Sequence, residues 1–125
     1  MDKINHADMV AALVKPGQDI KDSITPEECD LLHMAVGVAG EAGELLDAVK
    51  KHIIYRKPLD MVNMKEELGD LEFYMERIRQ ICKFSREEVL EANIEKLMTS
   101  DKARYKLGKY TDDAAQNRAD KESGE

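Results

Sequence analysis

Apolar positions in this chain advance by threes and fours rather than by twos. From 32 to 53 the set Leu32, Ala35, Ala39, Ala42, Leu46, Val49 and Ile53 keeps to one side of a helix. Its start is marked three ways. Thr25 suits the cap, Pro26 the first helical position, and Glu28 completes a capping box. Pro58 stops it. A second long helix is predicted from about Asp60 to Lys83, on the seam Met61, Met64, Leu68, Leu71, Met75, Ile78 and Cys82. Residues 3–15 read as a short first helix ended by Pro16-Gly17, and 16–24 as a loop. Ser85 and Glu88 open a last helix that carries Val89, Leu90, Ile94 and Leu97 to about Met98. No strand pattern of convincing length appears, and no repeat at solenoid periods.

The expected fold is all-α: a helical bundle built on a long antiparallel helix hairpin that turns near Pro58. Met34, Val38, Leu45, Phe73 and Tyr74 lie off the main seams. They widen the apolar surface beyond what one hairpin can cover, which predicts completion by a homodimer or a dimer of dimers. Residues 1–107 read as the domain. After Gly108 the chain turns polar and small, and 108–125 read as a disordered tail outside the core.

Composition narrows the function. The chain has 125 residues, enough for one domain, and 36% are charged. A net charge of −7 argues against a basic surface for nucleic acid. No apolar run approaches the roughly 20 residues of a membrane span, and no leader pattern opens the chain. Cys29 and Cys82 sit in apolar helical patterns and read as free buried thiols. A cytoplasmic protein without nucleic-acid or membrane partners follows.

The chemistry lies in two acidic pairs, Glu41 with Glu44 and Glu67 with Asp70. Residues three apart share a helix side, so each pair can aim two carboxylates at one point. Two such helices face to face would gather four negative charges, which need a counter-charge. A hard divalent cation such as Mg²⁺ supplies one, with Mn²⁺ an alternative. Gly37, Gly40, Gly43 and Gly69 lie among these carboxylates, each at a cost of about 1 kcal/mol relative to alanine. Close helix packing and room for a ligand both explain them. The plain alternative for the carboxylates is a solvated acidic face, since the chain has 26 acidic residues. Against it, Glu41 and Glu44 have no basic residue four positions away on either side.

The stretches GEAGELLDAVKK and KEELGDLEFYMERI resemble the MazG-type all-α nucleoside triphosphate pyrophosphohydrolases. The family's E-x-x-E, spacer, E-x-x-D pattern falls on Glu41, Glu44, Glu67 and Asp70 with a 22-residue spacer. EANIEKL at 91–97 is similar to the family's N-x-x-K-L element, on Asn93 and Lys96. The resemblance covers about residues 30–105. The family often places an R-Y pair soon after that element. Here six residues separate Leu97 from Arg104-Tyr105, so Lys102 or Lys106 can take the phosphate-contacting place instead.

The resemblance implies Mg²⁺ or Mn²⁺ on the four carboxylates. It implies attack of metal-activated water at the α-phosphorus of a (deoxy)nucleoside triphosphate, giving the monophosphate and pyrophosphate. Asn93, Lys96, Arg104 and Tyr105 would bind substrate, and one glutamate would act as base. Phosphoribosyl-ATP, or a dUTP- or dCTP-type nucleotide, is the alternative substrate within the superfamily. A non-catalytic helical interaction module is the alternative outside it. His33 can share the Glu41 face, although a packed or partly exposed histidine is the better explanation. The absence of an E-x-x-H pair argues against a ferritin-like di-iron site.

Overall fold

Two capping boxes set the frame, and both form as the sequence requires. In the computed structural model, which describes residues 3–121, the Thr25 hydroxyl accepts from the Glu28 N–H at 3.1 Å. The Glu28 carboxylate accepts from the Thr25 N–H at 2.9 Å. Ser85 and Glu88 repeat the exchange. The elements are α1 (His6–Leu13), α2 (Gly17–Ser23), α3 (Pro26–Ile53), α4 (Met61–Cys82), α5 (Arg86–Ile94), a π turn (Glu95–Thr99), α6 (Asp112–Asn117) and a 3₁₀ turn (Ala119–Lys121). The fold is all-α, with no strand among the described residues. None of these helices is long and apolar enough to cross a membrane.

The main packing is α3 along α4. Asp30 pairs with Arg77 at 3.9 Å, the Tyr74 ring lies on Gly37, and Glu41 meets Glu67 and Asp70. Residue numbers rise on α3 as they fall on α4, so the hairpin is antiparallel. Lys83, with φ 64°, ends α4 in the left-handed conformation, and the Phe84 N–H donates back to the Arg79 carbonyl at 2.9 Å. Arg79 also pairs with Glu76 at 2.9 Å on the α4 surface.

The seam of α3 differs from the expected one. The half-buried residues are Leu31, Met34, Val38, Glu41, Leu45 and Ala48, the last of them fully covered. The stripe from Leu32 to Ile53 faces outward, with Leu46 68% exposed. On α4 the inward positions are Met64, Glu67, Leu71, Tyr74 and Ile78, while Leu68 and Phe73 face out. The reason is physical. α3 carries two apolar stripes, and periodicity cannot say which neighbour takes which. Gly37 decides it, because only a residue without a side chain admits the Tyr74 ring.

Three further expectations are corrected. Residues 17–23, read as a loop, form α2. Asp19 lies in its first turn, and the Ser23 hydroxyl donates to the Ile20 carbonyl at 3.0 Å. Cys29 and Cys82 are free but exposed rather than buried: Cys29 lies in the first turn of α3 and Cys82 is the last residue of α4, at the ends of the hairpin. The stretch after Gly108, read as a disordered tail, is ordered through Lys121: Thr111 caps α6, and the Asp120 side chain is only 2% exposed. Its polar composition concealed a charge partner for a residue far upstream. Residues 122–125 lie outside the described residues.

Candidate functional site

Glu41 comes from the middle of α3, Glu67 and Asp70 from α4. The helix period puts Glu67 and Asp70 on one side, and the antiparallel packing brings Glu41 to meet them. One carboxylate oxygen from each lies within 4.8 Å of the other two. Glu44 is exposed and outside this group, although its charge still reaches Glu67. The structure thus brings three of the four expected carboxylates to one point and leaves the fourth at the rim.

Glu67 is the strained member. Its Oε2 is buried without a hydrogen-bond partner. The Glu41 carboxyl beside it pushes the Glu67 acid up to about 7. Burial adds to the effect, as do the negative charges of Glu41, Asp70 and Glu44. An unsatisfied carboxylate oxygen among like charges fits a hard divalent cation, which brings both charge and an oxygen-seeking centre. The group holds only oxygen donors, the ligand chemistry of Mg²⁺ or Mn²⁺.

The glycines around the cluster divide in two. A Cβ at Gly37 would overlap the Tyr74 ring, so this glycine serves helix packing, and Tyr74 is a packing residue. A Cβ at Gly40, Gly43 or Gly69 would meet nothing within 4 Å. No contact among the described residues explains their helix-propensity cost.

The second group of expected residues lies elsewhere. α5 runs directly on into the π turn, and among the described residues the extensive helix packing is that of α3 with α4. Asn93 is exposed on α5, and Lys96 lies in the π turn. The six residues between Leu97 and Arg104 form a tight return. The Arg104 N–H donates to the Lys96 carbonyl at 3.1 Å, and the Tyr105 N–H to the Leu97 carbonyl at 2.8 Å. The late R-Y pair is therefore set directly against the K-L element. The Tyr105 ring lies beside Tyr110, centroids 6.0 Å apart. Lys96 and Arg104 share one anion, the carboxylate of Asp120. Sequence reasoning missed Asp120 and Arg118, for no spacing rule links an acidic residue in a polar tail to a basic one sixteen positions earlier.

Minor candidates resolve simply. His33 is exposed. The basic group closing α3 is engaged locally: Lys50 stands 5.8 Å from the Tyr55 ring centroid, and His52 Nδ1 lies 2.7 Å from the Lys57 carbonyl oxygen.

The described residues thus form an all-helical chain with a carboxylate cluster at the seam of its long hairpin, where a hard cation could be held. The family model described as the MazG nucleotide pyrophosphohydrolase domain matches residues 23–105. The chain belongs to that family. No curated protein and no solved structure matches it. The matched residues include both acidic pairs, Asn93, Lys96, Arg104 and Tyr105, and end before Arg118 and Asp120.

Proposed function

We propose that the chain hydrolyses a (deoxy)nucleoside triphosphate to its monophosphate and pyrophosphate. One observation carries the reading: Glu41, Glu67 and Asp70 converge within 4.8 Å, with a Glu67 oxygen buried and unpartnered. These three would hold Mg²⁺ or Mn²⁺, with Glu44 at the edge. The bound cation would supply positive charge to the phosphate oxygens and a more acidic water. In this reading a water attacks the α-phosphorus and a carboxylate of the cluster takes its proton. The bond from the α-phosphorus to the bridging oxygen breaks, and pyrophosphate leaves. Lys96 and Arg104 neutralise charge on the phosphate chain.

Among the described residues, both cations pair with Asp120 rather than with Glu41, Glu67 or Asp70. A second copy is the natural source of the missing half. The outward stripes of α3 and α4, with Leu32, Leu46 and Phe73 each more than half exposed, offer the apolar area for a homodimer or a dimer of dimers.

The test is a screen of purified protein against canonical and modified nucleotides, phosphoribosyl-ATP, dUTP and dCTP included, with Mg²⁺ or Mn²⁺. Pyrophosphate release is the readout. Release from one class identifies the substrate. No release from any, with no rise in melting temperature on adding Mn²⁺, leaves an interaction module and overturns the enzyme reading.

A further inference from the structure

Asp120 is held by more positive charge than one carboxylate requires. Its Oδ1 accepts from Arg104 Nε at 2.9 Å, and its Oδ2 from Arg104 Nη2 at 3.1 Å. The same Oδ2 also meets Arg118 Nη2 at 3.4 Å and Lys96 Nζ at 3.7 Å. Three cations thus converge on one side chain, and Oδ2 is oversubscribed. Arg118 Nε is buried close by without a hydrogen-bond partner. A carboxylate has two oxygens to offer, and a terminal phosphate has three. The planar fork of arginine receives either group in the same bidentate way. An open cavity of about 730 Å³ lies beside this cluster, lined by Lys96, Lys102, Thr99 and Ser100 and by the carboxylates of Glu95, Asp101 and Asp120. It offers room for a phosphate chain next to the carboxylate.

The location matters as much as the geometry. Asp120 arrives on α6 and the 3₁₀ turn, beyond the matched family domain. The link between Gly108 and Thr111 is short and includes the positive φ of Gly108, so the segment reaches the cations as a folded arm.

We propose that residues 111–121 form an autoinhibitory arm, in which the Asp120 carboxylate occupies the place of a substrate phosphate on Lys96 and Arg104. Substrate and arm exclude each other there. This rests on the reading above that Lys96 and Arg104 contact phosphate. The arm lowers apparent affinity by the fraction of molecules in which it is open. An arm closed in nine molecules of ten would weaken phosphate binding about tenfold.

The experiment uses the full chain without metal and inorganic tripolyphosphate as the probe, measured by calorimetry. The Asp120→Asn variant is expected to bind about tenfold more tightly than the unaltered chain. Unchanged or weaker binding overturns the arm. Arg104→Ala in the Asp120→Asn background is expected to lose the binding gained. If it does not, the phosphate reading of Arg104 fails, a result distinct from failure of the arm. Hydrogen exchange on the unaltered protein gives a check independent of variant folding. Tripolyphosphate should speed exchange of the 111–121 amides, and slower or constant exchange overturns the proposal.

Discussion

Two carboxylates in this molecule live in opposite electrostatic worlds. Glu67 sits among Glu41, Asp70 and Glu44 and is pushed up to about 7. Asp120 sits among Arg104, Arg118 and Lys96, and the Arg104 hydrogen bonds hold it far below the usual carboxylate range. The first cluster lacks a cation, and the second has cations to spare. A structure built only for stability would pair them. In the function proposed above, the first site would hold a divalent ion and the second would meet the phosphate chain. The two sites lie on differently packed units.

The largest effect should come from removing acid at the first site. Asp70→Asn keeps the shape and deletes one charge. Turnover should fall about 100-fold or more, the scale of losing one well-placed electrostatic group. Melting temperature should hold or rise, since like-charge repulsion is relieved. Full activity with a normal melting curve would break the contrast, because Asp70 would then be ordinary surface charge.

The hairpin that assembles the acidic site depends on Gly37. Gly37→Ala forces a methyl into the Tyr74 ring. Denaturant unfolding should show a loss of about 1–3 kcal/mol, the usual range for overpacking. Unchanged stability would mean that α3 and α4 can slide apart freely, and the convergence of Glu41 with Glu67 would lose its support.

A smaller effect, screened because Glu67 is only half-buried, appears as pH dependence. Glu67 binds its proton more tightly folded than unfolded. It therefore contributes stability below its ordinary value of 4.5, and that contribution fades as pH rises from 4.5 to about 7. Asp120 acts the other way. Its depressed affinity contributes stability above the ordinary carboxylate value, 3.8, and the contribution is lost only on going into strong acid. Melting curves of the metal-free protein should decline between pH 5 and pH 7, and Glu67→Gln should remove that decline. Persistence of the slope in the variant would assign it elsewhere.

Much of this was legible in the residues. The two capping boxes and the antiparallel hairpin follow from local chemistry and helix period, and the spacing of Glu67 and Asp70 puts that pair on one helix side. Which stripe of α3 would face inward did not follow, since Met34–Val38–Leu45 and Leu32–Leu46–Ile53 are equally apolar and only the fit of Tyr74 to Gly37 separates them. The place of Glu44 at the rim was equally hidden. It shares a helix side with Glu41, and a small rotation of α3 decides which of them reaches α4. The role of Asp120 depends on a contact sixteen positions long between two charged residues, for which composition carries no signal.

The smallest effect concerns the open glycines. Gly69 lies between Glu67 and Asp70, and a methyl there meets nothing within 4 Å among the described residues. On helix propensity alone, Gly69→Ala should stabilise the isolated chain by about 1 kcal/mol. That gain is the reason to expect a cost elsewhere. If the space beside Gly69 receives substrate or a second copy, the same variant should weaken nucleotide binding or assembly, read as a higher KM or an earlier dissociation on dilution. A more stable protein with unaltered KM and unaltered dissociation would show the space to be vacant in the working enzyme. The acidic cluster would then have to bind its ligands from the side of Glu44.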